Sequence, residues 1–410
     1  MNLAEALADL GKRFPGESGA RQPVHTVYGG AQLFKSNTTV KLGAIAQRAL
    51  REHGGTPAEF ARAIGIGEAL AETIHARVVE KLKREPVEDF RIDFEDGYGN
   101  RSDDEEDGHA AAAAREVAAG MKNGTLPPFI GIRIKPFSQE LMPRALRTME
   151  IFLTTLLDAA GALPPWFVVT LPKIQIVEQV AALADAFDAL EPKLGLAAGA
   201  LQFEFMIETT QVIPILSLLP DAARGRAVAA HFGTYDYTAS CNITAAHQRM
   251  DHPACDFARH MMQVAYAGTG LWLSDGATNI MPIGDRATIH AAWRLHVEHV
   301  RHSLINAYYQ GWDLNPGQLP TRYAAVYSFF LEGLAAATER LRNFIEKAGQ
   351  ATLVGDVFDD AATGQGLLNY FLRALNCGAI TEEEALATGL TLDELRSRSF
   401  VKILKGRRGA

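Results

Sequence analysis

Eight short apolar runs recur along this 410-residue chain, at 24–28, 90–94, 129–134, 167–171, 201–207, 227–232, 271–274 and 311–314. At or just past their ends stand Glu95, Arg133, Lys173, Glu208, Asp236, Asp275 and Asn315, at successive gaps of 38, 40, 35, 28, 39 and 40. Between the runs the apolar spacing is helical, as over 67–84, where Leu70, Ile74, Val78, Val79 and Leu82 share a face. Strands alternating with helices imply a parallel sheet with crossover helices. Eight such units over about 300 residues suit a (β/α)8 TIM barrel. An open doubly wound sheet also alternates, but it usually carries a Gly-rich phosphate loop after an early strand. Neither GxGxxG nor GxxxxGK followed by Ser or Thr occurs.

After the eighth run the alternation stops. Residues 321–348 read as a helix with Leu331, Leu334, Leu341 and Phe344 as its apolar stripe. A turn over 355–363 and a helix through 374 follow, then two N-cap patterns at Thr381 and Thr391, each with acidic residues in the first turn. The expected organisation is a barrel with an N-terminal helical extension over 1–320 and a helical region over 321–410 packed on it.

The chain is 48% hydrophobic and 21% charged, as in globular enzymes. A net charge of −8 argues against nucleic-acid binding. Cys241, Cys255 and Cys377 form no CxxC pair, which disfavours a thiolate zinc site and suits a reducing cytoplasm. No apolar stretch reaches the roughly 18 residues of a membrane span, and the start Met1–Ala6 carries no secretion pattern. The expectation is a cytoplasmic protein without membrane or nucleic-acid partners.

Glu208 and Asp236 are the most telling pair. Each follows a buried run, and their spacing of 28 positions is about one βαβ step of roughly 30 residues. On adjacent parallel strands, about 4.8 Å apart, both carboxylates would project at one end of the sheet and could share a cation. Few oxygen ligands suit Mg²⁺, with water and substrate completing its shell; Mn²⁺ takes the same ligand types. Asp93, Glu95 and Asp96 cluster at another strand end, where three carboxylates repel unless paired or near a cation. Asp93 is readable as scaffolding against Arg91 or Arg133, and Glu95 and Asp96 as groups around metal-bound water. Arg133, in Gly131-Ile132-Arg133-Ile134, must find an anion, and its planar fork suits a substrate carboxylate or a structural salt bridge. Lys173 could form a Schiff base, but beside a metal an electrostatic role is favoured. His299 and His302 are a weaker metal pair on a helix, and the acidic run 103–107 reads as a solvated loop or helix start.

The motifs as a set resemble the citrate lyase beta-subunit and HpcH/HpaI 2-oxo-acid aldolase superfamily. They are Ile207-Glu208-Thr209, Gly233-Thr234-Tyr235-Asp236-Tyr237, Pro172-Lys173, Asp275-Gly276 and Gly311-Trp312-Asp313-Leu314-Asn315-Pro316. The last segment departs from the family, which usually has His before Pro. The resemblance implies a barrel of the phosphoenolpyruvate/pyruvate-binding type, Mg²⁺ on Glu208 and Asp236, and Arg133 on the substrate carboxylate. Asp96, Gly233, Thr234 and Asp275 are further candidate substrate contacts, and the resemblance implies a homo-oligomer.

Asp359-Asp360-Ala361-Ala362-Thr363 is similar to a malate synthase segment whose aspartate, at Asp360 here, deprotonates acetyl-CoA. Helix capping is the other reading of Asp360. The expected activity is Mg²⁺-assisted cleavage of a carbon–carbon bond in a 2-oxo acid or related acyl-CoA ester. Arg133, Glu95, Lys173 and Asp360 are the catalytic candidates. The alternatives are a Claisen condensation of acetyl-CoA with glyoxylate or a similar acid, and a non-catalytic protein binding a 2-oxo acid or CoA ester.

Overall fold

The computed structural model describes residues 2–346, 352–354, 357–359, 361–399, 402–403 and 407. Helix α1 (Leu3–Arg13) precedes β1 (His25–Gly30). Then come α2 (Thr38–Ala49), α3 (Pro57–Ile64), α4 (Ala71–Arg84), β2 (Asp89–Asp93), α5 (Asp103–Asn123), β3 (Phe129–Arg133), α6 (Met142–Ala160), β4 (Phe167–Leu171), α7 (Val177–Lys193) and β5 (Gln202–Ile207). The chain continues through α8 (Leu219–Ala222), β6 (Ala227–Phe232), α9 (Thr234–Ser240), α10 (Pro253–Tyr266), β7 (Trp272–Ala277), α11 (Arg286–Ile305), β8 (Gln310–Asp313) and α12 (Leu319–Glu346). Strands β1 to β8 pair in chain order, all parallel, and β8 returns to β1 with Thr26 opposite Trp312, closing the barrel. Every expected strand is present.

Local chemistry sets the helix ends. Ser102 caps α5 and forms a capping box with Glu105, so the acidic run 103–107 is a helix start, where negative charge is favourable. Gly124 ends α5 at φ +64, a conformation that favours glycine. Thr381 and Thr391 cap α14 (Glu382–Leu386) and α15 (Leu392–Arg396) through boxes with Glu384 and Glu394. Ahead of them α13 spans Ala361–Asn376. Two features differ from expectation. Within the segment read as a turn, β10 (Val357–Asp359) pairs antiparallel with β9 (Thr352–Val354); runs of three residues are too short to show a period. Helix α12 packs against α4 and α11, so it closes the ring of helices around the barrel, and the boundary expected at 320 falls in its first turn.

The barrel interior is built of charges. Outward residues such as Phe90, Ile92, Phe203 and Phe205 are apolar and fully covered. Inward, Arg91 of β2 reaches across to Glu204 of β5 through Nε–Oε1 and Nη2–Oε2 contacts of 2.8 Å each, and also bonds Asp89. Thr170 donates to Glu204 at 2.5 Å, and His231 Nε2 lies 3.0 Å from Glu204 Oε2. Below them Thr26 donates to Asp89 at 2.8 Å and accepts from Gln310 at 2.9 Å. Burial alone would raise Glu204, but Arg91 and His231 hold its carboxyl well below the usual range. Among the described residues no helix is long and apolar enough to cross a membrane.

Candidate active site

Glu208 continues the inward face of β5, two residues beyond Met206, and is buried. Its Oε1 accepts the Lys173 backbone N–H at 2.8 Å. Lys173 follows Pro172 at the end of β4 in a left-handed conformation, φ +52, which costs a non-glycine residue on the order of 1 kcal/mol. Its ammonium bridges Glu95 Oε1 at 2.8 Å, Asp236 Oδ2 at 3.1 Å and Asp96 Oδ2 at 3.2 Å. Glu95 and Asp96 come from the end of β2, and half-exposed Asp236 from the first turn of α9. Burial opposes the charge on Lys173, but Glu208, Glu95 and Asp236 raise it above the usual lysine range. An amine so firmly protonated is a poor Schiff-base nucleophile.

Arg133 lies beneath this cluster, 4% exposed. Asp93 takes its Nε at 2.7 Å and Nη2 at 2.5 Å, while Nη1 pairs with Glu95 Oε2 at 3.1 Å. The fork that the sequence offers to a substrate carboxylate is therefore filled by Asp93, and only Nη1 faces a group of the mouth. Tyr28 and Trp312, with ring centroids 4.4 Å apart, lie 4.8 and 5.8 Å from the guanidinium carbon. These rings hold the arginine; Trp312 belongs to the segment Gly311–Pro316, and no sequence motif marks Tyr28.

Burial first, then the charges of Asp236 and Glu95, push the Glu208 carboxyl up to about 7 against the pull of Lys173 and Arg133. Five carboxylates, Asp93, Glu95, Asp96, Glu208 and Asp236, thus gather around two side-chain cations. Among the described residues no three His, Cys, Asp or Glu side chains form a ready metal site. Glu208 and Asp236, the pair expected to share a cation, both lie at the C-terminal mouth of the barrel, the face at which (β/α)8 barrels carry their sites. Gly233 lets them approach: a Cβ there would sit 2.4 Å from Glu208 Oε2. Its φ of −101° is ordinary, so the constraint is contact and not backbone strain. If Glu208 and Asp236 hold Mg²⁺ as expected from the sequence, Gly233→Ala should weaken its binding by about 10- to 100-fold, as read by calorimetric titration.

A sequence pattern described as a domain of unknown function, DUF6986, matches residues 3–403. The chain belongs to the DUF6986 family. No curated protein matches it. Solved structures share its fold. A citrate lyase from Burkholderia xenovorans superposes with a TM-score of 0.62 at 19% identity, covering 90% of this chain and 96% of its own. A Haloferax volcanii malate synthase with magnesium and glyoxylate gives 0.51 at 15%, covering 94% and 97%. Protein CitE of Mycobacterium tuberculosis with magnesium, acetoacetate and coenzyme A gives 0.50 at 16%, covering 88% and 99%. The fold is that of citrate lyase beta-subunit-like proteins and malate synthases, as the motifs implied.

In this DUF6986 protein the remaining candidates part company. A cavity of about 600 Å³ opens beside the cluster, lined by Glu95, Asp96, Lys135, Leu141, Lys173 and Thr209. Asp275, expected to touch substrate, is instead fully buried behind β7, bonded to Arg259 at 3.0 Å and to Ser303 at 2.6 Å. Thr234 is buried too, its hydroxyl 3.2 Å from Met250 Sδ. His299 and His302 are not a pair: His299 meets Thr278 at 2.9 Å and His302 meets Asp256 at 2.8 Å. Burial holds the His299 imidazole down at about 4. Asn315 caps the turn after β8, accepting from Gly317 at 2.8 Å. Asp360 lies outside the described residues.

Proposed function

We propose that this DUF6986 protein is a Mg²⁺-assisted carbon–carbon lyase or aldolase acting on a 2-oxo acid or a related acyl-CoA ester. The observation that carries the reading is the buried Glu208, pushed up to about 7 among like charges at the barrel mouth. A divalent cation shared with Asp236 would relieve that repulsion, so the donor set fits Mg²⁺. Bound there, Mg²⁺ would polarise the substrate carbonyl and stabilise negative charge developing on its oxygen. The magnesium complexes of malate synthase and CitE support the choice of metal.

The chain's own residues divide the remaining work. Lys173 presents a fixed positive charge between Glu95, Asp96 and Asp236, able to donate to a substrate oxygen. Arg133 is oriented by Asp93 and offers Nη1 to a substrate carboxylate in exchange for Glu95. Glu95, buried and raised above the usual carboxylate range, is placed to hold or pass a proton. The 600 Å³ cavity exceeds what a three- or four-carbon acid fills and leaves room for the arm of a thioester.

Acetyl-CoA condensation with glyoxylate is the alternative. The resemblance of 359–363 to a malate synthase segment supports it, whereas the superpositions do not divide the two readings: malate synthase covers 94% of this chain and citrate lyase 90%. One panel separates the two. Purified protein is assayed for thiol release from acetyl-CoA with glyoxylate, and for cleavage of 2-oxo-acid aldols and CoA esters, each with Mg²⁺ and with chelator. Chelator-sensitive cleavage is the expected result, and borohydride with substrate should trap nothing on Lys173. Thiol release dependent on glyoxylate would install the condensing reading, and tight binding without any turnover would make the protein a binder.

A further inference from the structure

At the opposite, N-terminal end of the barrel, α13 and Arg398, just past α15, close over a second cavity of about 50 Å³. It is lined by Glu17, Gln22, Trp272, Asn369, Arg373 and Arg398, among others. Two arginines face a single carboxylate there. Arg373 donates to Glu17 at 3.2 Å and to Gln22 at 3.1 Å, and its guanidinium stacks 4.0 Å from the centre of the Tyr309 ring. The Arg398 guanidinium has no hydrogen bond or ion pair among the described residues.

The position of Arg398 is nonetheless built. Its backbone is left-handed, φ +55, and its carbonyl accepts from Gln365 at 3.1 Å. Its side chain crosses Gly19, where a Cβ would stand 2.8 Å from Arg398 Cδ. Burial and the charge of Arg373 oppose its protonated form, and Glu17 offsets them only in part. Asn369 Oδ1 accepts from Gln365 Nε2 at 3.2 Å, which leaves its amide N–H groups as donors. Cys377 also lines the space, but burial pushes its thiol up to about 12, so it is not a nucleophile.

We propose that this cavity binds a compact oxyanion, a small carboxylate or a phosphate, between Arg398 and Arg373. The charge is complementary, since two guanidinium groups face one carboxylate. The size follows from the volume: at roughly 10–15 Å³ per water, the space takes the place of three to five waters. Guanidinium forks match the paired oxygens of such ions. The ligand would join the C-terminal helices to the floor of the barrel, on the face away from the carboxylate cluster.

Thermal unfolding of the full-length protein tests this at constant ionic strength, with chloride as the matched control and phosphate or malonate as probes. A saturable rise in Tm with phosphate, malonate or both, absent with chloride, is expected, and the effective probe names the ligand class. Arg398→Gln should abolish the rise while leaving the anion-free Tm unchanged or higher, because it removes an unpaired charge. Glu17→Gln should tighten anion binding several-fold by removing the internal competitor. An equal rise with chloride, no rise with either probe, or an undiminished rise in Arg398→Gln overturns the proposal. A lower anion-free Tm in Arg398→Gln does so too, since it would mark a purely structural arginine.

Discussion

Glu208→Gln is expected to lower Mg²⁺-dependent turnover by at least about 100-fold and yet to stabilise the metal-free protein above pH 7. The two effects have one cause. In the native state Glu208 keeps its proton up to about pH 7, against an ordinary value of 4.5. Between those values the unfolded chain binds fewer protons than the native one, so stability falls as pH rises, and above pH 7 the deficit is constant. For this buried carboxyl the deficit is on the order of 3 kcal/mol. Glutamine carries no such burden. Melting with chelator at pH 5 and pH 8 should show the variant gaining a few degrees at the higher pH only. Mg²⁺ should restore the wild type there and do little for the variant. Because the ligand must lose its proton, wild-type Mg²⁺ affinity should climb with pH up to about 7. A variant that is less stable than wild type in chelator at pH 8 would mean that burial does not hold the Glu208 carboxyl up, and an undiminished Mg²⁺ rise in the variant would remove Glu208 from the metal site.

Arg91→Met is expected to cost about 3–5 kcal/mol of stability, the largest single effect in the barrel. Asp89 and Glu204 would remain, buried at 1% exposure, without the cation that both contact. The double variant Arg91→Met with Glu204→Met should recover part of the loss, because it leaves fewer stranded charges. Midpoints of urea unfolding for the two single variants and the double one measure the coupling. Additive losses would mean that the arginine and the glutamate act independently.

Strand positions were legible because outward residues of a barrel are apolar in runs: 167–171 and 227–232 match β4 and β6 to the residue. Of the charged interior only Asp93 is legible from the sequence, as scaffolding against Arg91 or Arg133, although the interior has a period of its own. In Asp89-Phe90-Arg91-Ile92-Asp93-Phe94-Glu95 every second residue is charged, and those four all face inward or sit at the mouth. What strand-end polarity does not reveal is parity. A shift of one residue turns a side chain to the other face, and so Glu208 enters the mouth whereas Asp275 is locked behind β7 against Arg259. Lys173 in a left-handed conformation carries no compositional signal, since Asn or Gly is the usual occupant. That α12 completes the ring of helices depends on what covers it, α4 and α11, and helical periodicity says nothing of neighbours.

The connection between β5 and β6 holds only a 3₁₀ stretch, Ile213–Leu218, and the four-residue α8, where other units carry a full helix. Closing a short loop forfeits less chain entropy than closing a long one. Ile207 meets Phe232 across that short loop, whereas sealing the barrel joins His25 to Asp313 over a separation of 288 residues. Contacts of low sequence separation form fastest. Glu208 and the Gly233 that leads into α9 are thus brought together by the most local parallel pairing among the described strands, and if Glu208 and Asp236 share a cation as proposed, its two ligands come from the part of the barrel that costs least to assemble.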